Sequence, residues 1–383
     1  MRVAIVHYWL VSMRGGEKVI EALCRIFPEA DIFTHVYAPE MVSEEIRKHK
    51  VVTTFINSLP RARRYYKHYL PLMPLALEQI DLRGYDLVIS SESGPAKGIV
   101  PAAGAVHICY CHSPMRYIWN MFHDYRESAG WLPRLLMPPL AHYVRTWDAV
   151  ASMRVDRFVA NSHTVATRIE KYYRRDALVI HPPVDIELFE SVPADEVEDY
   201  YLLAGELAAY KRPELAVEAF NALGRRLIVI GGGEMLAAVR KLAGPTVTVM
   251  GQQPFAVLRH HYARCRALVF PGEEDFGIVP VEVMASGRPV IAYGRGGVTE
   301  TVVAGVSGVF FEEQTAASII RAIHEFERMR FDPRAIRARA EKFNASRFLA
   351  EFTAAVENAL GRKLDLPRPP ESAASVAAAD GGG

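Results

Sequence analysis

The residues from 270 to 301 hold the side chains whose types and spacing are best suited to chemistry. Two carboxylates, Glu274 and Glu282, flank the start of a predicted helix at 281–285, which Pro280 opens. A helix N-terminus preceded by glycine binds anions through its unpaired amides, whereas a carboxylate accepts hydrogen bonds from hydroxyl groups. The stretch therefore predicts a site for a ligand with both phosphate and hydroxyl groups, such as a nucleotide-sugar. The residues predicted to line it are Glu274, Phe276, Gly277, Ile278, Val279 and Glu282.

Candidate cations for the same phosphate come from a second loop. Lys211 and Arg212 follow a predicted strand at 200–205 and precede a predicted helix at 214–223. A lysine supplies a compact charge and an arginine a planar fork, so the pair is suited to a diphosphate. Gly251 follows another predicted strand, at 247–250, and stands at the same kind of turn.

The first half of the chain adds a glycine pair and a histidine. Gly15 and Gly16 separate a predicted strand at 3–8 from a predicted helix at 17–26, which makes a second anion-facing turn. His112 follows a predicted strand at 106–110, and ligands of open α/β folds bind at the carboxyl edge of the sheet. We therefore expect His112 to face the ligand. The alternative is a packed histidine that donates to a backbone carbonyl.

Strand, glycine turn and helix alternate through both halves of the chain, and these elements must position the candidate residues. The alternation predicts an α/β fold of two Rossmann-like, doubly wound parallel-sheet domains that face each other across a cleft. We place the first domain at 1–185 and the second at 200–345, with an acidic linker between them. Residues 363–383 are rich in Pro, Ala and Gly, which predicts a disordered tail.

The motifs resemble the signature of the retaining glycosyltransferases of family 4, which have the GT-B fold. The resemblance covers about residues 1–360 and is more specific than a lone glycine motif. The alternative is an ordinary loop-helix-loop with acidic residues on its surface. In the family, the last helix crosses back, which implies that residues 346–360 pack on the first domain. The resemblance is carried by Glu274 and Glu282 with seven residues between them, Phe276-Gly277, Gly287-x-Pro289, and the turn from Gly296-Gly297 to Glu300.

The resemblance implies a role for each candidate and a transfer that needs no metal. Lys211 and Arg212 bind the donor diphosphate, Glu274 binds the hydroxyls of the donor sugar, and His112 stabilises the sugar as it gains positive charge. Family members usually carry arginine where this chain has Glu206, so one of two usual cations is missing, and Arg212 is the candidate to replace it. The remaining implied contacts are diphosphate on the amides of Gly277, Ile278 and Val279, ribose on Glu282, diphosphate near Gly15 and Gly16, and the nucleobase pocket near Gly251.

The donor and acceptor follow from a narrower resemblance. The pattern H-x-P-x-R-Y-x-x-W from His112 to Trp119 looks like a subgroup that includes mannosyltransferases of bacterial surface polysaccharide assembly. This implies GDP-mannose as donor and a lipid-diphosphate-linked oligosaccharide as acceptor. UDP-sugars fit the same loops, and a sugar-nucleotide epimerase or a non-catalytic nucleotide-binding subunit are the alternative functions.

A basic and aromatic stretch at 61–74 is the candidate acceptor or membrane surface. Basic side chains attract anionic lipid head groups, and aromatic rings favour the membrane interface. The alternative is a helix whose tyrosines pack inward while its arginines face water. A second apolar segment at 131–147, which prolines are expected to break, is a further interfacial candidate. The basic and aromatic residues are Arg61, Arg63, Arg64, Tyr65, Tyr66 and Lys67.

Composition limits the remaining classes. The net charge of +1 gives no bulk attraction to nucleic acid, and no nucleic-acid partner is expected. Four cysteines provide neither a disulfide framework nor a second zinc half-site beside Cys109 and Cys111. With the diphosphate neutralised by protein cations and amides, as the resemblance implies, no metal and no cofactor are expected. The chain starts directly as a strand with no leader, which predicts a cytoplasmic protein, and the stretch at 61–74 predicts that it is peripheral to the inner face of the cell membrane.

Overall fold

Two all-parallel sheets organise the protein in a computed structural model that describes residues 1–365. The first sheet has seven strands in the order β3-β2-β1-β4-β5-β6-β7, and the second has six in the order β10-β9-β8-β11-β12-β13. The first seven strands are β1 (Val3–His7), β2 (Asp31–Thr34), β3 (Val51–Thr53), β4 (Leu87–Glu92), β5 (Val106–Cys111), β6 (Arg157–Ala160) and β7 (Ala177–Val179). The others are β8 (Tyr201–Ala204), β9 (Leu227–Ile230), β10 (Val247–Gly251), β11 (Leu268–Phe270), β12 (Val290–Tyr293) and β13 (Gly308–Phe311).

Helices connect the strands and cover both faces of each sheet. Along the first sheet they are α1 (Gly15–Ile26), α2 (Glu44–Arg47), α3 (Ala62–Tyr65), α4 (Met73–Glu78), α5 (Phe122–Ser128), α6 (Trp131–Ala151) and α7 (His163–Tyr173). Along the second they are α8 (Pro213–Leu223), α9 (Leu236–Leu242), α10 (Phe255–Arg264), α11 (Ile278–Ala285), α12 (Val298–Thr301), α13 (Ala316–Phe326) and α14 (Pro333–Glu341). A last helix, α15 (Ala345–Leu360), follows.

The sequence of β1 shows why the sheets are covered on both sides. All five of its residues are buried and all but His7 are apolar, as expected of a central parallel strand. Ile5 joins one core cluster with α1 and α15, whereas Ala4 and Val6 join another under α4. Because successive side chains alternate between faces, one short run fills two cores.

The chain crosses between the two sheets twice. It leaves β7 near residue 180 and returns through α15, whose Phe348, Phe352 and Val356 pack in the core of the first sheet. The two crossings touch, because the Val184 N–H donates to the Phe343 carbonyl at 3.1 Å. The two sheets are therefore joined by two covalent connections that lie against each other.

The predicted fold is confirmed, with differences at the level of elements. The sequence interpretation did not include β13, and α11 begins at Ile278, two residues before Pro280. The segment at 131–147, predicted to be broken by proline, lies within one continuous helix that contains Pro138 and Pro139. Of the predicted tail at 363–383, residues 366–383 lie outside the described part of the chain.

Candidate active site

The N-terminus of α11 lies between the two halves of the protein. Gly277 precedes it in the left-handed region at φ +85°, a conformation that favours glycine, and no side chain caps the helix. A Cβ on Gly15, at the start of α1, would be 2.6 Å from the side chain of Ile278. On the other side, a Cβ on Gly205, at the end of β8, would be 3.7 Å from Val279. The first amides of α11 therefore lack intrahelical partners at a point where two glycine turns approach.

Glu274 and Lys211 meet beside this helix start. Lys211 Nζ lies 2.8 Å from Glu274 Oε1, and each side chain is about four-fifths buried. Burial opposes the charge on Lys211, but the Glu274 carboxylate outweighs it and raises the lysine pKa above its ordinary value. A Cβ on Gly272 would be 2.7 Å from the Lys211 Cα, so glycine permits the two loops to approach this closely. The two loops predicted to share a diphosphate are thus in contact.

The glycine loop after β12 supports the Glu274 loop. The Gly297 N–H donates to the Glu274 carbonyl at 2.8 Å, and Gly296 adopts φ +75°. A Cβ on Gly296 or Gly297 would collide with the backbone of residues 274–276. Only glycine therefore lets this loop lie against Glu274 and fix its backbone.

Glu282 lies on the second turn of α11, partly buried. Its Oε2 accepts a hydrogen bond from the Tyr262 hydroxyl at 3.1 Å. Desolvation raises the pKa of the Glu282 carboxyl to about 7, although the Tyr262 hydroxyl and the charge of Lys18 oppose this shift. A carboxyl with this pKa changes its charge near neutral pH, and hydroxyl donors from a ligand would favour its ionised form.

His112 lies at the end of β5, where its ring meets a hydroxyl group rather than the backbone carbonyl of the packed alternative. Its Nε2 is 2.8 Å from Ser91 Oγ. Burial, and next the nearby His7, lower the pKa of His112 to about 3, so the ring is neutral at ordinary pH. A Cβ on Gly16 would be 3.7 Å from this same nitrogen. The glycine pair of α1 and His112 thus belong to one surface.

For three of the predicted residues the structure shows which groups are already engaged within the protein. The Arg212 side chain is paired in the ligand-free protein, because its Nε donates to Glu214 Oε1 at 2.5 Å. The Phe276 ring is buried against His181 and Phe343, which leaves only its backbone available to a ligand. Gly251 lies on the edge strand β10, where its carbonyl accepts from the Gly231 N–H at 2.9 Å.

Several pairings at the interface between the sheets were not predicted. Arg14 Nη1 lies 2.8 Å from Glu206 Oε2, so the acidic residue at 206 is paired across the gap with a cation that immediately precedes α1. Arg168 bonds Asp275, and Glu300 accepts from the His163 amide at 2.9 Å at the start of α7. These pairings join residues more than a hundred positions apart, which no local pattern could reveal.

The acidic turn at 273–275 is neutralised by cations. Glu274 pairs with Lys211, and Asp275 pairs with Arg168 and, at 3.7 Å, with Arg116. Within residues 1–365, the structure contains no group of three or more His, Cys, Asp or Glu side chains that could hold a metal ion. The candidate active site is therefore built from paired charges and backbone amides.

The basic and aromatic stretch forms α3 and the short turns that lead into α4. Tyr66 and Tyr69 pack toward Trp9 and a small core cluster, whereas Arg61, Arg63, Arg64 and Lys67 are exposed. Tyr65 is partly buried, with Arg64 over its ring. This arrangement combines inward tyrosines with an outward basic surface.

Helix α6 exposes an unusual amount of apolar surface. Trp131 is 79% exposed and Leu135 is 67% exposed. The C-terminal part of α6 is tied to α4 because Trp147 Nε1 donates to Glu78 at 3.1 Å. None of the helices in residues 1–365 is long and apolar enough to cross a bilayer. The other exposed apolar residues between Trp131 and Tyr143 are Leu132, Leu136, Leu140 and Tyr143 itself.

Comparison with known families places two adjacent matches on this chain. Residues 13–188 match the family described as Glycosyltransferase Family 4, and residues 184–343 match Glycosyl transferases group 1. The two matches meet at the first crossing between the sheets and together cover most of the described residues.

Curated relatives carry names of the same kind. A D-inositol 3-phosphate glycosyltransferase of Segniliparus rotundus is 27% identical over 327 residues, which cover 70% of this chain and 73% of that protein. A D-inositol 3-phosphate glycosyltransferase 1 of Catenulispora acidiphila is 32% identical over 253 residues, covering 54% and 59% respectively. The chain thus spans only part of the length of these relatives.

Solved structures share the arrangement of both sheets. Sucrose-phosphate synthase of Thermosynechococcus elongatus gives a TM-score of 0.69 at 18% identity, covering 94% of this chain and 99% of that one. HepE of Anabaena, in complex with UDP and glucose, gives a TM-score of 0.66 at 16% identity, covering 93% of this chain and 99% of that one. At these identities the likeness establishes the fold alone.

Proposed function

The chain belongs to the GT-B glycosyltransferases of group 1 and family 4, and from that premise we propose that it transfers a hexose from a nucleotide-sugar with retention of configuration. The observation that carries the proposal is the Lys211–Glu274 pair beside the uncapped N-terminus of α11. Lys211 and the helix amides suit a diphosphate, and Glu274 suits sugar hydroxyls. Both kinds of contact are needed to bind a nucleotide-sugar on the two sides of the bond between sugar and diphosphate.

The reaction needs its leaving group stabilised. The bond between the anomeric carbon and the donor phosphate oxygen breaks, while a bond to the acceptor oxygen forms on the same face. The acceptor proton passes to the departing phosphate oxygen. Lys211 and the amides of residues 277–279 stabilise the negative charge on the diphosphate, and such preorganised electrostatics are usually the largest catalytic contribution. Neutral His112 faces the sugar, and Glu274 orients it.

We propose that transfer is independent of metal ions. The support is that each acid of the turn at 273–275 is already paired with a lysine or arginine. The diphosphate charge would be met by Lys211 and by helix amides. No cofactor beyond the nucleotide-sugar co-substrate enters the proposal.

GDP-mannose is the donor that we propose, on the subgroup pattern that begins at His112. A UDP-hexose is the second candidate, because the Anabaena HepE structure with the same fold was obtained with UDP and glucose. An epimerase or a non-catalytic subunit would use the same pocket but would show no dependence of product on an acceptor.

The proposed acceptor is a lipid-diphosphate-linked oligosaccharide of bacterial surface polysaccharide assembly. The exposed cations of 61–67 and the apolar first half of α6 support a peripheral contact with the cytoplasmic face of a membrane. Inositol 3-phosphate is the rival acceptor, because the curated relatives named above carry it in their names. No nucleic acid is proposed as a partner.

The function is tested by donor turnover with defined acceptors. The full chain is screened for thermal stabilisation by GDP, UDP and ADP. It is then incubated with the matching nucleotide-hexose and either a polyprenyl-diphosphate-linked saccharide or inositol 3-phosphate. We expect acceptor-dependent release of nucleoside diphosphate, unchanged by a chelator. Donor loss without an acceptor product would favour the epimerase, and no nucleotide binding at all would reject the proposal.

Glu274→Gln tests the role of the carboxylate. It keeps the shape of the side chain but weakens its hydrogen-bond acceptance, so turnover is expected to fall about 100-fold or more, as on removal of a transition-state contact. Nucleoside diphosphate affinity should change much less. Glu312→Gln, on an exposed carboxylate after β13, is the matched control. Turnover of Glu274→Gln at the wild-type rate would remove Glu274 from the mechanism.

A further inference from the structure

A line of buried polar groups continues behind His112. His7 ends β1, Ser91 lies near the end of β4, and His112 follows β5, so the three come from neighbouring strands. Ser91 Oγ is 2.8 Å from His112 Nε2 and 3.1 Å from His7 Nδ1. His7 and Ser91 are register partners in the parallel pairing, and both are fully buried. One hydroxyl thus bridges two imidazole rings.

The line ends at a carboxylate on the first turn of α1. His7 Nε2 is buried, has no hydrogen-bond partner in the described part of the chain, and lies 3.9 Å from Glu17 Oε1. Glu17 is itself buried, and its other oxygen accepts from the Arg14 amide at 2.9 Å. Glu17 therefore presents one oxygen toward His7, on the helical turn that also carries Gly15 and Gly16.

The bridge permits few arrangements of protons. A carboxylate only accepts, so its charge favours the form of His7 with hydrogen on Nε2. His7 Nδ1 then carries a lone pair and accepts the Ser91 hydroxyl proton. With that proton committed, the Ser91 oxygen accepts from His112, which must carry its hydrogen on Nε2. A neutral imidazole has one N–H, so His112 Nδ1 is left as an acceptor.

We propose that His7 and Ser91 are positioning residues that hold His112 as its Nε2–H tautomer, so that Nδ1 accepts a hydrogen bond from a substrate hydroxyl. The inference rests on the proposed function for the identity of that substrate, a hexose. A hydroxyl that donates to a lone pair becomes more electron-rich. His112 in this orientation and tautomer therefore stabilises the sugar as positive charge develops at its anomeric carbon.

The same strand supplies a matched control. Ser90 precedes Ser91, so its side chain points to the opposite face of the sheet. Ser90 Oγ lies 2.8 Å from His107 Nε2, and His107 Nδ1 is 3.1 Å from the Arg154 carbonyl. Both residues are fully buried. Ser90→Ala therefore removes an equally buried serine–histidine hydrogen bond that does not involve His112.

Nitrogen NMR of the histidine rings tests the proposal directly. In the substrate-free full chain, labelled at histidine and assigned by comparison with His112→Gln, we expect His112 to show protonated Nε2 and unprotonated Nδ1. Ser91→Ala should give a tautomer mixture at His112, whereas Ser91→Thr should restore the wild-type signal and Ser90→Ala should leave it unchanged. Thermal unfolding of each variant shows that the comparison is made on folded protein.

Kinetics supply the second measurement. Ser91→Ala is expected to lower kcat about tenfold, which is what one neutral hydrogen bond contributes, with little change in the KM for the donor. Ser91→Thr should recover most of this loss. A wild-type His112 protonated on Nδ1, or a tautomer and kcat that Ser91→Ala leaves unchanged, would overturn the inference. If the wild type transferred no sugar, the proposed function would fail, while the NMR result would still decide the tautomer.

Discussion

Lys211 and Glu274 form an ion pair in the ligand-free protein, so a donor must rearrange this pair when it binds. The diphosphate competes for the lysine, and the sugar hydroxyls compete for the carboxylate. Each partner is about four-fifths buried, so neither charge is well hydrated when the other leaves it. The ligand must therefore supply an anion to Lys211 and hydrogen-bond donors to Glu274 at the same time. This favours a molecule whose phosphate and hydroxyl groups are close together.

Glu282 leads to a prediction about pH. Its pKa of about 7 means that the carboxyl is near half-protonated in the free enzyme at neutral pH. Ribose hydroxyls that donate to it favour the carboxylate, so binding lowers the pKa and releases up to one proton. Nucleoside diphosphate affinity should therefore increase as pH rises from 6 to 8. Calorimetry in buffers of different ionisation enthalpy measures the released proton.

Glu282→Gln is the control for that measurement. The amide cannot ionise, so the proton release assigned to residue 282 should disappear and the affinity should become less dependent on pH. A wild-type protein that releases no proton in this range would show that ribose hydroxyls do not contact Glu282. An equal release from Glu282→Gln would assign the proton to another group.

Sequence reasoning located residues whose signal is local and missed those whose partners are distant. Glu274 and Gly277 are recognisable because their spacing sets a loop and a helix start. Glu300 was recognised as part of the glycine turn, but its partner on α7 carries no such signal, and neither does the bridge at Ser91. These contacts form only when separate strands and domains meet. Arg212 shows the same limit: its charge is visible in the sequence, but its pairing with Glu214, two residues later, is seen only in the structure.

At the scale of elements, α1 and α11 begin opposite each other, and glycine allows the approach. Gly16→Ala tests how tightly α1 is placed. The added Cβ would be 2.6 Å from the Tyr8 hydroxyl, so Tyr8 or the helix start must move by several tenths of an ångström. We expect turnover to fall about tenfold or more, because small displacements of a positioned group are costly. Alanine favours helix over glycine by about 1 kcal/mol, which limits the loss of stability.

Gly104→Ala is the matched control for Gly16→Ala. It lies in a loop before β5, and a Cβ there would meet nothing within 4 Å. Its turnover and melting temperature should equal those of the wild type. If Gly16→Ala were as active as Gly104→Ala, close contact between the α1 turn and the donor diphosphate would be ruled out.

The elements themselves were mostly predictable because buried parallel strands are short apolar runs that end in glycine turns. The strand at 290–293 followed from such a run. Helix α6 was misjudged because a pair of prolines usually breaks a helix, yet Pro138 and Pro139 lie within it. Strand β13 was missed although three of its four residues are apolar, because no glycine turn of the recognised kind follows it.

At the scale of the whole molecule, charged contacts across the gap hold the two halves in their present relation. Arg14 forms an ion pair with Glu206, and Arg168 forms one with Asp275. Glu300 accepts hydrogen bonds from the first amides of α7. Both halves therefore contribute residues to one site, as the predicted cleft requires. These contacts depend on both domains being folded, so no reading of either half alone could have found them.

The exposed face of α6 leads to a prediction about membranes. The apolar first half of the helix and the cations of 61–67 should bind anionic vesicles of phosphatidylglycerol more strongly than neutral vesicles of phosphatidylcholine. Leu135→Glu should weaken this binding about tenfold by removing apolar area and adding repulsion. Val306→Glu, at an exposed apolar position in the second half, is the control. Equal binding of wild type and Leu135→Glu, measured by vesicle co-sedimentation, would contradict a membrane role for α6.

The central claim is that Lys211 and the start of α11 bind a diphosphate, and the affinity of Lys211→Ala for the nucleotide tests it most directly. Titration should compare the nucleoside diphosphate with the nucleoside that has the same base, using Lys241→Ala, an exposed lysine on α9, as control. We predict that Lys211→Ala weakens the diphosphate about 10- to 100-fold, the range for a charged hydrogen bond. Binding of the nucleoside should stay nearly unchanged. Equal loss for both ligands, or no loss for the diphosphate, would contradict the account.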